Sequence, residues 1–165
     1  MGFIRTKTIK GKEYAYLVSN TWTINGSRQN VKGYLGRVIR PTKEREETTN
    51  TADSEFKEAI NSLITQELIN HGFNEKLMRD KTKIDLENRK IINGKKNIVL
   101  GLNEGFLCTY TLNNIMTLQL KGHEEQAGMQ LATALVEAGL KIDKETFVSL
   151  FEKIYKGNHK TKDKR

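Results

Sequence analysis

Several classes of protein are excluded by what the sequence does not contain. It has one cysteine, Cys108, so an internal disulfide cannot form, and the apolar context GFLCTYTL favours a small core residue over a nucleophile. It has no run of 18 apolar residues and no apolar signal-peptide segment, so we expect no membrane-spanning helix and no membrane partner. A reducing cytoplasm is the predicted location.

Motifs for catalysis, metals and nucleotides are missing as well. The three histidines, His71, His123 and His159, lack the spacing of metal ligands, and no second cysteine exists for a zinc site. Neither G-x-x-x-x-G-K-[ST] nor G-x-G-x-x-G occurs. Glu104 lies near Cys108, but no base completes a catalytic pair. We therefore predict a non-enzymatic protein without catalytic residues, metal or cofactor.

Acidic residues are scarce at one end of the chain. Residues 1–40 contain eight Lys or Arg but only one acidic residue, Glu13. Tyr14 and Tyr34 are interleaved with these cations, and residues 158–165 add four cations against one aspartate. The net charge of +8 is concentrated at the two ends of the chain. This predicts a polyanionic partner that binds these basic end segments.

Residues 3–38 have the pattern of three antiparallel strands. The segments FIRTKTI, EYAYLVSNTWTI and SRQNVKGYL are rich in aromatic and β-branched residues, and a turn is expected near Gly11-Lys12. Asn25-Gly26 is the preferred pair for a type I′ hairpin turn, because both central positions need positive φ. The pattern predicts a three-stranded antiparallel meander.

The position of the second turn decides which side chains share a face. A two-residue loop at Asn25-Gly26 places Trp22, Asn20 and Val31 on a mostly apolar face, which we expect to meet the core. The opposite face would be polar and exposed. It would carry Thr21, Thr23, Arg28, Asn30, Lys32 and Tyr34.

A charged segment separates the meander from the rest of the chain. It begins at the only proline, Pro41, and has no large apolar residue, so residues 41–53 are predicted to be a linker. The amphipathic segment SEFKEAINSLITQELINHG follows and predicts a helix that covers a sheet. Asp53 or Ser54 is the expected N-cap, and Gly72 suits the end.

A second hairpin is expected at Asn93-Gly94, between RKII and NIVLGL. Both hairpins fit the pattern I-N-G-x-x-x-x-V-x-G, with an offset of 68 residues. Shared hairpin chemistry or an internal duplication would explain this match. The first explanation is favoured because the flanking residues differ.

The chain after Thr109 has the periodicity of three helices. Gly139 is expected to end the second helix, and Asp143 is expected to cap the third. The last two helices have the outline of a helix-turn-helix, but the exposed side of the last is nearly neutral, which argues against contact with DNA phosphates. The predicted fold class is α+β, with the N-terminal three-stranded antiparallel meander, the second β-hairpin and a C-terminal three-helix subdomain. Its divisions are 1–40 for the basic meander, 41–53 for the linker, 54–157 for the α+β domain and 158–165 for a basic flexible tail.

The N-terminal segment IKGKEYAYLV…INGSRQNVKGYLGR resembles a short β segment of some insertion-sequence transposases and archaeal Fic-family proteins. The resemblance covers about 35 residues. No transposase acidic triad and no H-P-F-x-x-G-N-G-R motif is present, so it implies a portable β module that docks nucleic acid or a partner, without catalysis. The residues that carry it are Ile9, Gly11, Tyr14, Tyr16, Leu17, Val18, Tyr34, Leu35 and Gly36.

The charge pattern favours non-enzymatic binding of structured RNA, with ribosomal RNA as the bulk target. Cations would neutralise phosphates, Tyr34 would stack on a base, and hydroxyl and amide groups would bond sugar or phosphate. RNA is preferred over DNA because no element fits a major groove. The candidate nucleic-acid-binding residues are Arg28, Lys32, Tyr34, Arg37, Arg40, Thr21, Thr23, Asn30, Lys160, Lys162, Lys164 and Arg165.

Two other functions are consistent with the sequence. One is a DNA-binding accessory or regulator from a mobile element or a toxin–antitoxin system. The other is a protein-interaction adaptor whose partner binds through residues 111–155. The cations of the meander also have a plainer explanation, since a charged outer face prevents strand edges from pairing with other chains.

Overall fold

The fold consists of eight strands and four helices within residues 2–160. The computed structural model describes the backbone of these residues and the side chains of residues 2–157. The strands are β1 (Gly2–Ile9), β2 (Lys12–Thr23), β3 (Gly26–Ile39), β4 (Met78–Arg79), β5 (Thr82–Asp85), β6 (Lys90–Asn93), β7 (Lys96–Leu102) and β8 (Gly105–Leu107). The helices are α1 (Phe56–Asn70), α2 (Thr109–Met116), α3 (Glu124–Glu137) and α4 (Lys144–Lys160).

The first turn of the meander fixes the pairing of β1 with β2. Lys10 and Gly11 form a two-residue loop with φ angles of 49° and 74°. Positive φ at both positions is what a type I′ turn requires. Ile9 consequently pairs with Lys12, and the antiparallel register continues through the whole of β1.

The second turn lies one residue earlier than predicted. Strands β2 and β3 close at Thr23 and Gly26, so Ile24 and Asn25 form the loop and the pairing slips by two residues. Gly26 has a φ of 104°, whereas Asn25 is outside the positive-φ region. The type I′ assignment is therefore wrong, because a single positive φ after two ordinary turn residues is typical of a type I turn with a G1 bulge. A slip of two residues leaves each side chain on its expected face.

Two register shifts in β3 reverse the orientation of part of the strand. Lys32 and Leu35 have no cross-strand partner. Each extra residue breaks the alternation of side chains, so Tyr34 pairs with Tyr16 and not with Leu17. The predicted position of Tyr34 on the outer polar face is therefore wrong.

The β2–β3 hairpin continues beyond β1 as a two-stranded arm, which comprises residues 20–30. Among the described residues β1 pairs with β2 only as far as Ser19, so within that part of the chain no third strand supports the arm. Trp22 is 84% exposed and Val31, at the base of the arm, is 69% exposed. The expected burial of these apolar side chains is wrong, because the arm extends past the layer that covers the sheet.

The meander joins the rest of the protein through a parallel pair of strands. β3 pairs with β7 over three residues, beginning with Arg37 opposite Ile98. Gly36 precedes this contact with a φ of 141°, and a Cβ there would lie 2.7 Å from the carbonyl oxygen of Asn97. All strands form one sheet of order β1-β2-β3-β7-β6-β5-β4, with β8 paired to β7. The sheet thus crosses the predicted boundary between residues 1–40 and 54–157.

The four predicted helices are present and cover one face of the β7 side of the sheet. Helix α1 buries Ile60, Ile64 and Leu68 in the same core as Ile98 and Leu100 of β7, which confirms the predicted amphipathic cover. Helices α2, α3 and α4 belong to the same core and do not form one of their own. Each contributes a buried leucine: Leu112, Leu131 and Leu150.

The helix caps agree in part with the sequence patterns. Helix α1 begins after Glu55, whose side chain makes no cap, instead of at Asp53 or Ser54. At the start of α4, the Thr146 N–H donates to Asp143 Oδ1 at 2.7 Å, as predicted. This hydrogen bond lowers the pKa of Asp143.

A smaller core lies on the other face of the sheet. Ala15, Val38 and Val99 bring β2, β3 and β7 together there, and Cys108 is buried beside them. Burial raises the pKa of the Cys108 thiol, which fits the predicted role as a small core residue. The Tyr110 hydroxyl donates to the carbonyl of Gly2 at 3.3 Å and so links the start of α2 to β1.

The predicted linker, residues 41–53, has no helix or strand but is bound to the helical layer. Lys153 Nζ of α4 donates to the Thr51 carbonyl at 2.7 Å. Asn70, at the end of α1, donates from Nδ2 to the Glu47 carbonyl at 2.9 Å and accepts from the Glu47 N–H at 3.2 Å. These contacts fix the path from β3 to α1.

The α+β class and the β-hairpins are confirmed, and in the part of the chain that the structure describes no helix is long and apolar enough to cross a membrane. Helix α4 continues to Lys160, so the first residues of the predicted 158–165 tail have a helical backbone. Residues 161–165 lie outside the described part.

Candidate nucleic-acid interface

One face of β1 and β2 carries rings and cations side by side. Every second residue of β2 lies on this face, including Tyr14 and Tyr16. In β1, the cross-strand partner of Tyr14 is Lys7 and that of Tyr16 is Arg5. Lys12, at the start of β2, shares the same face by alternation.

Strand β3 completes this surface because of its register shifts. Tyr34 pairs with Tyr16, and Arg37 pairs with Tyr14. The ring centroids of Tyr34 and Tyr16 are 5.5 Å apart, and those of Tyr34 and Tyr14 are 6.4 Å apart, with the rings tilted. These are favourable aromatic contacts. We call the surface the tyrosine face; it consists of Arg5, Lys7, Lys12, Tyr14, Tyr16, Tyr34 and Arg37.

The tyrosine face has four cations and no acidic residue. Glu13, the one carboxylate of residues 1–40, lies on the opposite face of β2. It accepts two hydrogen bonds from Arg40, at 2.7 and 2.8 Å, and this pairing holds its pKa below the usual value. The Arg40 guanidinium also lies over the Phe106 ring, 5.3 Å from the centroid. Cations therefore set the potential of the tyrosine face.

Tyr34 combines an accessible ring with a neutral hydroxyl. Its side chain is 59% exposed. Partial burial raises the pKa of Tyr34, and the neighbouring Tyr14 and Tyr16 raise it further. The hydroxyl is protonated at neutral pH and can donate to a phosphate or a base edge, while the ring offers a plane for stacking.

The helical layer leaves the tyrosine face uncovered. The main core, which all four helices join, includes Ile39 of β3 but no residue of β1 or β2 within the part of the chain described. The face is thus open over three strands. Four cations around three rings can bind a polyanion that has unpaired planar groups.

Four of the predicted binding residues lie on the other side of the arm. Thr21 pairs with Arg28, and Asn30 Nδ2 donates to Thr21 Oγ1 at 2.6 Å. Thr23 Oγ1 donates to the Gly26 carbonyl at 2.9 Å. The four side chains share one face, as predicted, but their hydroxyls are partly used to order the arm.

The remaining predicted residues are scattered. Tyr34 and Arg37 belong to the tyrosine face, Lys32 is exposed at a register shift, and Arg40 is held by Glu13. Part of the predicted set lies outside the described residues. It consists of the Lys160 side chain, Lys162, Lys164 and Arg165.

Sequence reasoning missed Arg5, Lys7, Lys12 and Tyr16 as members of the surface. The signal that could have found them is the Lys10-Gly11 pair. A two-residue turn there fixes the register of β1, and the alternation of β2 then assigns the cations of β1 to the face of the tyrosines.

A buried polar cluster lies elsewhere, where the linker meets α1. Glu67 Oε1 accepts from Asn103 Nδ2 at 2.9 Å and lies 3.3 Å from both Lys43 Nζ and His71 Nδ1. Glu67 and His71 are buried, so these contacts satisfy groups that burial would otherwise penalise. Among the residues that the structure describes, no group of His, Cys, Asp or Glu has the arrangement of a metal site.

An apolar groove of about 590 Å³ lies between the end of α3 and the start of α4. Leu135, Val136, Leu140 and Phe147 line it, and Lys141 is at its rim. Val136 is 50% exposed. The groove lies mostly within residues 111–155, the segment that was predicted to bind a protein partner.

Comparison with known proteins gives no further assignment: no family model, no curated protein and no solved structure matches the chain.

Proposed function

We propose that the protein binds RNA without catalysing a reaction, and that the tyrosine face is its principal contact surface. The observation that carries the proposal is the cluster of Tyr14, Tyr16 and Tyr34 between four cations, on strands that, among the described residues, contribute nothing to the helical core. The resemblance of the N-terminal segment to other β modules is not needed for it.

Unpaired bases are the groups that fit this surface. Rings on an open sheet can stack on bases that are splayed out of a loop or a single-stranded segment, whereas the bases of a duplex are already stacked. Arg5, Lys7, Lys12 and Arg37 surround the rings and would neutralise the phosphates. Structured RNA supplies such loops, and ribosomal RNA is the most abundant source in a cytoplasm, where the protein is proposed to act.

The outer side of the arm extends the contact. Arg28 and Lys32 add two cations, and the exposed hydroxyls of Thr21 and Thr23 can bond sugar or phosphate oxygens. No acidic residue lies between Tyr14 and Lys43 in the sequence, so nothing on the arm repels a polyanion.

The direct test compares Tyr34→Ala with Tyr34→Phe in titrations of a labelled single-stranded RNA followed by fluorescence anisotropy. Loss of the ring should weaken binding about 5- to 150-fold, because base–aromatic stacking is worth about 1–3 kcal/mol. Tyr34→Phe keeps the ring and should stay close to the wild type. Equal affinities for all three proteins would contradict the proposal.

Salt dependence gives a second measurement on the same complex. Four phosphate contacts predict that log K falls with log salt with a slope of about −3 for a single strand. The double variant Arg5→Gln with Lys7→Gln should reduce the slope by about 1.4. A slope near zero would mean that the contact is not electrostatic.

Binding of a protein partner is a second candidate function, favoured by the groove between α3 and α4. Val136→Asp would place a charge in the groove without touching the sheet. Loss of a partner from Val136→Asp, with RNA affinity unchanged, would support an adaptor role. Protection of a specific duplex in a footprint would instead favour a DNA-binding regulator.

A further inference from the structure

The feature that the proposed function leaves unexplained is the exposed tryptophan of the arm. Trp22 is the only tryptophan of the chain, and it lies on a two-stranded projection with 84% of its surface exposed. An aromatic side chain that is exposed to this extent contributes little to the core of the free protein. Its surface is therefore available to a ligand.

Trp22 lies on the same side of β2 as the tyrosine face. The side chains of β2 alternate without interruption from Tyr14 to Trp22, because both register shifts insert their extra residue in β3. Between the rings lie Val18, which is buried, and Asn20, which is exposed. A row of side chains thus leads from the tyrosines out to the tip of the arm.

Polar groups occupy the middle of this row. Asn20 pairs with Gln29 across the arm, and Gln29 Oε1 accepts a hydrogen bond from Arg5 of β1. Amide side chains can donate and accept at once, which is what hydrogen bonding to the edges of unpaired bases requires. Arg5 connects this amide pair to the cations of the tyrosine face.

We propose that the tyrosine face and the arm form one continuous track for a single-stranded segment of RNA, with Trp22 stacking on the base at its far end. This inference rests on the proposed function and adds the form of the ligand. The occupant is a polyanion because residues 14–43 contain cations and no carboxylate. It is single-stranded because stacking contacts at both ends of the track need unpaired bases.

The length of the track sets the length of the ligand. Trp22 is eight positions after Tyr14, which is about 26 Å at roughly 3.3 Å per residue of strand. A stacked single strand with about 3.4 Å per nucleotide would place about eight nucleotides on this distance. A shorter strand that stays stacked cannot contact both ends at once.

The experiment titrates the intact protein with labelled oligouridylates of 4, 6, 8, 10 and 12 nucleotides, and records both anisotropy and the emission of Trp22. Affinity should rise up to about eight nucleotides and then level off, and the Trp22 emission should be quenched by the longer oligonucleotides only. Trp22→Ala should weaken the 8-mer about 5- to 150-fold and abolish the gain between the 4-mer and the 8-mer.

A matched control separates stacking from general loss of apolar surface. Ile24 is also apolar and fully exposed at the tip, but it has no ring. Ile24→Ala should bind the 8-mer like the wild type, and Trp22→Phe should retain most of the affinity. An equal loss in Ile24→Ala and Trp22→Ala would overturn the stacking role.

The outcomes distinguish the two proposals. RNA binding by anisotropy with unchanged Trp22 emission and no dependence on length beyond the 4-mer would overturn the track and leave the tyrosine face as the site. Failure to bind any oligonucleotide would overturn the proposed function itself. Equal or tighter binding of oligodeoxythymidylates of the same lengths would overturn the assignment to RNA.

Discussion

Strands β3 and β7 are neighbours in one sheet, yet their surroundings differ. From Ile98 to Leu102, β7 is buried on both faces, between the helical layer and the smaller core. The first half of β3 is exposed on both faces, since it forms one side of the arm. The same kind of strand therefore serves stability in one place and presents side chains to solvent in the other.

The difference shows why exposed apolar residues have separate meanings in the two regions. On the β7 side, an apolar side chain is explained by the core that it fills. On the arm, the core is out of reach, and Trp22 and Val31 have no partner layer. Exposed apolar surface of this kind is a feature of interaction sites.

The comparison predicts unequal costs for truncating apolar side chains. Leu100→Ala should reduce the free energy of unfolding by about 2–5 kcal/mol, because Leu100 is fully buried in β7. Val31→Ala should change it by less than about 0.5 kcal/mol. Urea denaturation of both variants measures the contrast, and a large loss in Val31→Ala would show that the arm is packed in solution.

The junction between the two regions can be broken at one glycine. Gly36→Ala should cost about 2–3 kcal/mol, since the added Cβ would approach Asn97 O to 2.7 Å in a φ region that favours glycine. Gly33→Ala is the matched control, with ordinary φ and no atom within 4 Å of the Cβ position. Thermal unfolding of the pair tests the parallel contact; equal melting temperatures would contradict it.

The sequence predicted the local elements better than their connection. Strand and helix patterns identified the three strands of the meander, the second hairpin and all four helices. The parallel pair of β3 with β7 depends on residues about 60 positions apart, and no local pattern signals it. The two register shifts, at Lys32 and Leu35 of β3, likewise have no signal in the residue pattern.

The sequence predicted only part of the candidate site, because the rest depends on contacts between strands. Tyr34 and Arg37 were identified from charge and aromatic content, but the residues that complete the surface lie on β1 and β2. The loop at Ile24-Asn25 rather than Asn25-Gly26 changed the partners in the arm without changing their faces. Residues that share a face could thus be predicted where the strand alternation is unbroken, and not beyond a bulge.

Substitutions in the turn of the arm should cost less stability than those at Leu100 and Gly36. Gly26→Ala should loosen the arm by about 1 kcal/mol, because a side chain is strained at a φ of 104° although the space around it is open. Asn25→Ala should change little, since Asn25 is outside the positive-φ region. Hydrogen exchange of the arm amides measures both effects. A larger effect of Asn25→Ala would show that the turn is type I′, as the sequence pattern predicted.

The smallest expected effect is the pH-dependent stability contributed by the ion pair of Glu13 with Arg40. The Arg40 hydrogen bonds hold the folded-state pKa of Glu13 below its unfolded value, so the ion pair contributes stability above about pH 4.5. That contribution is lost as the pH falls through the folded-state pKa. Glu13→Gln should cost about 0.5–1 kcal/mol at pH 7 and less at pH 3, measured by urea denaturation at both values. A pH-independent difference would mean that the pair acts through packing alone.

The parallel contact of β3 with β7 has a consequence for synthesis of the chain on the ribosome. The meander emerges before β7, so the edge of β3 that β7 will cover must wait for about 60 more residues. Non-local strand pairing of this kind is slow to form, and an open strand edge invites pairing with other chains. Arg37 lies at that edge without a carboxylate beside it among the described residues, and its charge would keep two nascent copies apart until β7 arrives.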